Sequence, residues 1–337
     1  MLNQDLISIT RAGLTESRHF GSIAVTDKTG RLLYAAGEPE RVTFIRSSAK
    51  PLQAIPVVES GALERFNLTD EELAFMCSSH NGEPEHVALA AGMLAKLSLG
   101  PDALLCGAHE PFYKPATDAL LRAGDEITSL HNNCSGKHSG MLALALMLNA
   151  PIGRYLEPEH AVQRSMRAAV SAMSGVAESD IPLGIDGCGV PVFALPLAAL
   201  ATAYARLGSP EGLLPERADA CRRITAAIRR YPRALAGTGR YDTRLAEATG
   251  GRLIGKLGAE GVFAVAVAER DWGIAVKIED GANRALYPAV TETLRQLGLL
   301  SEAESEALAE IHPKILRNWQ GTEVGEIRPQ FNLQRLS

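Results

Sequence analysis

The sequence predicts an α+β fold: an antiparallel sheet drawn from both ends of the chain, flanked by helices that include a helical lobe. Three observations carry this. A hairpin signal lies near the N-terminus, a stronger one lies far downstream, and the stretch between them reads as successive helices. Residues 22–26 and 32–35 are strand-like runs enclosing Asp27-Lys28-Thr29-Gly30, a turn composition. Pro84 stands at the first-turn position of a helix over 84–97. Apolar periodicity marks further helices over 139–148, 160–173, 192–205, 215–229, 242–248 and 287–297. The second hairpin joins 262–269 to 272–279 around Arg270-Asp271. The terminal strands are expected to share one antiparallel sheet. With no low-complexity linker and no internal repeat, residues 1–337 are read as a single domain.

Bulk properties exclude several classes. Hydrophobic residues make up 46% and charged residues 22% of the 337, the balance of a globular protein with material for a core. A formal net charge of −5 argues against a nucleic-acid binder. Arg222, Arg223, Arg229 and Arg230 cluster, but as one face of an amphipathic helix. Residues 1–13 lack the basic start and apolar run of a secretory signal, and no apolar stretch has transmembrane length. Cys77, Cys106, Cys134, Cys188 and Cys221 form an odd, scattered set that suits a reducing cytoplasm rather than a disulfide framework.

Reactive side chains concentrate in five glycine- and serine-rich islands. The first is Arg46-Ser47-Ser48-Ala49-Lys50-Pro51, where Ser47 and Lys50 fall on one helical face. A lysine held out of water beside another cation binds its proton less tightly and can accept one from a serine. Pro51 disfavours helical geometry at Lys50, so a tight turn is expected there. The second island, 77–83, contains Ser79-His80-Asn81, and the third is Lys256-Leu257-Gly258. Ser-x-x-Lys, Ser-x-Asn and Lys-x-Gly, in that order, are the elements of the serine β-lactamase and penicillin-binding set, except that the middle of the third is Leu rather than Thr. A solvated helix start and a polar loop that merely caps the helix at Pro84 are the plain alternatives.

The fourth and fifth islands are residues 131–140 (HNNCSGKHSG) and 184–189 (GIDGCG). Glycine density around Cys134 and Cys188 implies close backbone approach to something bound. Two thiols from distant loops can share a zinc ion, or they can be buried as small apolar groups. A zinc deaminase is excluded: the Glu of His80-Asn81-Gly82-Glu83 is one place too far, and no Pro-Cys-x-x-Cys follows.

Together these islands resemble the rhizobial-type (class 3) L-asparaginases of the "L-asparaginase II" domain family. The matching segments are 46–56, 77–97, 106–111, 131–146, 184–194, 236–242 and 255–281, so the resemblance spans nearly the whole chain. It implies a serine β-lactamase/glutaminase-like α+β sandwich that hydrolyses L-asparagine to L-aspartate and ammonia. It further implies Ser47 as nucleophile with Lys50 as base, Ser79 and Lys256 as a second Ser–Lys pair, and zinc held by Cys134, Lys137 and Cys188. A cytoplasmic homodimer acting on a small molecule, with no nucleic-acid or membrane partner, is expected. Charge and proximity suggest that Asp186 meets the substrate ammonium or the metal's water, and that Arg46 and His138 serve the substrate carboxylate or support the site. Competing readings are a serine-type glutaminase or other amidohydrolase on the same fold, and a zinc or amino-acid sensor.

Overall fold

The computed structural model describes residues 4–336. From the N-terminus the elements are β1 (Gln4–Arg11), β2 (Leu14–Asp27), β3 (Leu32–Ala36), β4 (Val42–Phe44), α1 (Lys50–Glu59), α2 (Ala62–Arg65), α3 (Asp70–Met76), α4 (Pro84–Lys96), α5 (Lys114–Ala123), α6 (Ser135–Met147) and α7 (Ala161–Ser174). There follow β5 (Leu183–Ile185), β6 (Pro191–Pro196), α8 (Leu197–Gly208), α9 (Pro215–Arg230), α10 (Pro232–Leu235), α11 (Tyr241–Ala248), β7 (Leu253–Gly258), β8 (Val262–Val267) and β9 (Trp272–Ile278). The chain closes with α12 (Asn283–Gln296), α13 (Glu302–Ala307), β10 (Lys314–Arg317), β11 (Glu323–Pro329) and β12 (Gln334–Arg335). Two units result: one takes the residues up to 48, 195–209 and those from 244 onward, the other 49–194 and 210–243.

The first unit is built on one sheet, in the order β10-β11-β1-β2-β9-β8-β7, with β3 on β2 and β12 on β3. Its described pairings are antiparallel, so strands from both chain ends share one sheet, as the sequence predicted. β7 and β8 are buried at every position, which requires cover on both faces and explains why β8 is apolar throughout and β7 is so apart from Lys256. α8 lies hard against β9: a Cβ on Gly273 would stand 1.8 Å from the Ala201 carbonyl oxygen, so only glycine permits this approach. α12 packs on the same sheet.

Several elements differ from expectation. Residues 1–13 were read only for targeting, yet Gln4–Arg11 is a strand that turns at Ala12 and Gly13, both at positive φ (47° and 83°), as a tight hairpin requires. The helix expected over 192–205 begins at Leu197. Its first residues form β6, because Pro196 forces the preceding residue toward extended geometry and β5 supplies a pairing edge. At Lys50, Pro51 does not prevent helix. Arg46–Ala49 is a 3₁₀ turn that runs into α1, where Pro51 occupies a first-turn position with no intrahelical N–H to lose. α6 starts at Ser135 rather than 139, so Lys137 and His138 lie in its first turn.

In the second unit α1 is buried from Lys50 through Val58 and packs among α6, α7 and α9. A helix apolar on all sides belongs in a core, and Lys50 is its one buried charge. Among the described residues no helix is long and apolar enough to cross a membrane.

Candidate active site

Lys50 opens α1 and is 1% exposed, so its ammonium must find hydrogen-bond acceptors within the protein. It finds three: the Ser78 carbonyl oxygen at 2.5 Å, Ser79 Oγ at 3.0 Å and the Asn133 carbonyl oxygen at 3.4 Å. An ammonium has three N–H donors, so the set is complete. Ser79 lies in the extended segment between α3 and α4, pinned on both sides. The Ser79 and Asn81 N–H groups donate to the Leu235 and Ala236 carbonyls, and the His80 N–H donates to that of Asn133. His80 Nδ1 accepts from the Gly82 N–H (3.0 Å), which leaves its proton on Nε2, donated to Ser135 Oγ at 2.9 Å. Burial first, then the charges of His86, Lys50 and Arg240, hold His80 well below the usual imidazole range, so it stays neutral.

The cysteine islands converge beside this pair. Asn132 Oδ1 accepts from the Cys134 N–H (2.8 Å) and Asn132 Nδ2 donates to the Cys106 carbonyl (2.9 Å), fixing the loop that ends in α6. Gly136 sits where a Cβ would meet the Phe75 carbonyl oxygen at 2.1 Å, so α6 can start only this close to α3 with glycine there. Cys188 comes from the β5–β6 hairpin, whose turn is closed by Asp186 N–H to the Val190 carbonyl and Gly189 N–H to that of Asp186, with Gly189 at φ 88°. Lys137 Nζ donates to Cys188 Sγ at 3.0 Å.

The hydrogen bond from Cys188, then the Lys50 and Lys137 charges, hold the Cys134 thiol well below its ordinary range. The same bond, together with burial, pushes Cys188 up. Burial works against the Lys137 charge, but Cys134, Cys188 and Asp186 raise it above the ordinary lysine range. Cys106 lies near and is pushed up to about 12 by burial and by Cys134; it is a neutral thiol.

His138 is fully buried; its Nδ1 accepts from the Tyr155 hydroxyl (2.7 Å), which itself accepts from the Leu105 N–H (2.8 Å). The Nε2–H is buried with no partner among the described residues. Among those residues no three His, Cys, Asp or Glu side chains gather to hold a metal, so a metal here depends on Lys137.

Ser47, Arg46 and Lys256 belong to the first unit. Arg46 has φ 50°, a strained value for a residue with a Cβ, at the start of the turn carrying half-buried Ser47. The turn is anchored at Ser48: its Oγ donates to the Ile45 carbonyl (2.6 Å) and its carbonyl accepts from the Tyr204 hydroxyl (2.7 Å). Lys256, fully buried on β7, donates to the Leu257 carbonyl at 2.9 Å. Gly258 brings that strand onto the turn, since a Cβ there would lie 2.6 Å from the Ile45 carbonyl oxygen. Glycine at the third place of Lys-x-Gly therefore has a steric reason.

Sequence reasoning passed over a second layer. Glu83 Oε1 accepts from the Thr238 N–H (2.7 Å) and Asn81 Nδ2 (2.9 Å), and its Oε2 accepts from Thr238 Oγ1 (2.9 Å). This staples the 236–240 loop to the Ser79 segment. Arg240 Nη1 then donates to the Ser79 carbonyl and to Asn81 Oδ1, both at 3.1 Å. The one sequence signal was Gly237-Thr238-Gly239, a composition that bends backbone around a neighbour.

Comparison with known proteins adds a family. No curated protein matches the chain. Similar solved structures include a β-lactamase from Mycobacterium bovis (15% identity, 86% of this chain and 94% of that one, TM-score 0.42). Others are a putative β-lactamase from Bacteroides dorei (14%, 82% and 93%, 0.42) and a simvastatin synthase variant from Aspergillus terreus (13%, 82% and 91%, 0.41). Likenesses this distant say nothing of what the chain acts on. The family model described as L-asparaginase II, in contrast, matches residues 7–329, nearly the entire length. The chain belongs to the L-asparaginase II family, and is by class a hydrolase of amides.

Proposed function

We propose that the chain hydrolyses the side-chain amide of L-asparagine, releasing L-aspartate and ammonia through a serine acyl-enzyme. The observation that carries this reading is the buried Lys50–Ser79 pair, 3.0 Å from Nζ to Oγ, in a chain of an amide-hydrolysing family. With its amine neutral, Lys50 takes the serine proton as the oxygen attacks the amide carbon. It then gives that proton to the departing nitrogen, so that ammonia leaves. Water enters, loses a proton to the same amine and cleaves the ester, freeing aspartate and restoring the serine. The Ser78 and Asn133 carbonyls keep Nζ aimed at Ser79 throughout.

A second reading makes Ser47 the attacking group, as the family resemblance implies. The strained φ of Arg46 favours keeping it, because strain of this kind clusters at functional turns. Ammonia release by Ser47→Ala, Ser79→Ala and Lys50→Ala tests both. The attacking serine should lose at least about three orders of magnitude in kcat. A fully active Ser79→Ala enzyme removes the first reading, and a fully active Ser47→Ala enzyme the second. Ammonia from glutamine alone would replace asparagine with the longer amide.

Cys134, Lys137 and Cys188 fit a zinc ion: two sulfurs and an amine, all buried, lie together with Asp186 adding negative charge. The amine must be neutral and the sulfurs deprotonated to serve as ligands. When bound, the ion would supply fixed positive charge that shapes the pocket. Asp186 offers its carboxylate to the substrate ammonium, and His138, held by the Tyr155 hydroxyl, supports the site.

A further inference from the structure

We propose that Arg240 binds the α-carboxylate of the amino-acid substrate; this rests on the amidohydrolase reading above. A substrate carboxylate leaving water for a buried site needs a cation with free N–H donors. Lys50 has none to offer, since its three donors meet Ser78, Ser79 and Asn133. Lys137 is engaged by Cys188 and by the charges of Cys134 and Asp186.

Arg240 differs. Its Nη1 commits both N–H groups to the Ser79 carbonyl and Asn81 Oδ1, which leaves the Nε–H and both Nη2 N–H groups. No carboxylate pairs with it among the described residues, and Glu83, which anchors its loop, is occupied by Thr238 and Asn81. The guanidinium is half-buried, 6.0 Å from the centre of the Phe112 ring, which shields one face from water. The remaining fork matches a carboxylate in two-point geometry.

Position agrees with charge. Arg240 is bonded to the carbonyl of the residue whose hydroxyl faces Lys50. In asparagine the amide carbon and the carboxylate carbon are about 4 Å apart when extended. A carboxylate on the fork of Arg240 therefore leaves the amide within reach of the Ser79 segment. The Glu83 staple makes the arrangement preorganised, so little ordering cost falls on binding.

The test compares L-asparagine with 3-aminopropanamide, the same amide and amine without the α-carboxylate, on wild type, Arg240→Gln and Arg240→Lys. The wild type should favour asparagine by about 30-fold or more in kcat/KM. Arg240→Gln removes the charge and the two-point fork. It should lose that preference chiefly through a raised KM for asparagine, with the analogue falling much less, and Arg240→Lys should restore part of it. A wild type indifferent to the carboxylate overturns the assignment even if no variant folds. So does an Arg240→Gln enzyme that keeps the preference, or one in which both substrates fall equally, which marks a merely structural arginine. A wild type that releases ammonia from neither compound defeats the asparaginase reading itself, a different result.

Discussion

Replacing Gly237 by alanine should damage both the fold and the site, by amounts that follow from its surroundings. Gly237 has φ 112°, a conformation that L residues rarely adopt, at a cost of about 1–3 kcal/mol. The added methyl would stand 2.4 Å from Glu83 Oε1, 2.9 Å from Asn81 Nδ2 and 2.9 Å from His86 Cε1. These are side-chain atoms, yet none is free to retreat. Glu83 accepts from Thr238 and Asn81, Asn81 also donates to the Thr238 carbonyl, and His86 is held between the Glu83 N–H and the Arg233 carbonyl. Relief must break at least one buried bond to a charged acceptor, about 1.5–3 kcal/mol. The sum is about 2.5–6 kcal/mol, against about 5–15 kcal/mol for a whole domain. The broken staple would also release the 236–240 loop, and with it the donor on the Ser79 carbonyl, so kcat/KM should fall at least about 10-fold. Gly239 supplies the control: its φ is 73° but no atom lies within 4 Å of its would-be Cβ, so Gly239→Ala should cost only about 1–2 kcal/mol. Urea unfolding and ammonia release measure both effects. If Gly237→Ala is no less stable or active than Gly239→Ala, the packing argument is wrong.

Two further outcomes are expected. Protein purified without chelator should carry about one zinc per chain, lost in Cys134→Ala, and zinc at about 100 times its Kd should add about 2.7 kcal/mol to the stability of stripped protein. Metal-free protein whose unfolding midpoint ignores added zinc would remove the ion from the proposal. In the first unit, burial opposes the Glu292 charge, but hydrogen bonds from Arg295, His312 and Gln296 prevail and hold its carboxyl at about 2 against an ordinary 4.5. A folded-state pKa depressed in this way gives stability that is full above about 4.5 and is lost as the pH falls toward 2. The contribution is at most about 3 kcal/mol, less whatever water screens at the exposed Arg295. Glu292→Gln should flatten the acid limb of the urea midpoint between those values, and identical limbs in both proteins would refute it.

Strands and helices were legible where the chain carries its own signal. Residues 262–267 are apolar at every position and end at Arg270-Asp271, so β8 and β9 could be read locally. β10 and β11 could not. Their sequences, KILR and EVGEIRP, are largely exposed in β10 and mostly half-buried in β11, and show no clean alternation. They are strands because β1 offers an edge, pairing Ile9 with Ile327 and Ile7 with Pro329 across almost the full chain. A pairing at that separation has no local signature. α1 was legible only at its start, where Ser47 and Lys50 were placed on one helical face, and its body was not, for the opposite reason. Burial on all sides removes the periodicity that marks a surface helix, and Pro51 and Pro56 argue against helix to any local reading.

The candidate site divides along the same line. Serines, lysines and cysteines on glycine-rich loops advertise themselves, and Lys50, Ser79, Cys134, Lys137 and Cys188 do gather in one unit. What spacing cannot supply is the choice of partner. Two of the three acceptors on Lys50 are backbone carbonyls, at Ser78 and Asn133, and a carbonyl looks alike at every position of a sequence. Arg240 poses the harder case. Gly237-Thr238-Gly239 marks its loop but not the arginine itself, whose proposed role follows from what is absent around it among the described residues: a paired carboxylate. Glu83 is the nearest candidate by contact, and it is already satisfied by Thr238 and Asn81. A charge left without its counterion is a property of the folded environment alone, and no run of sequence displays it.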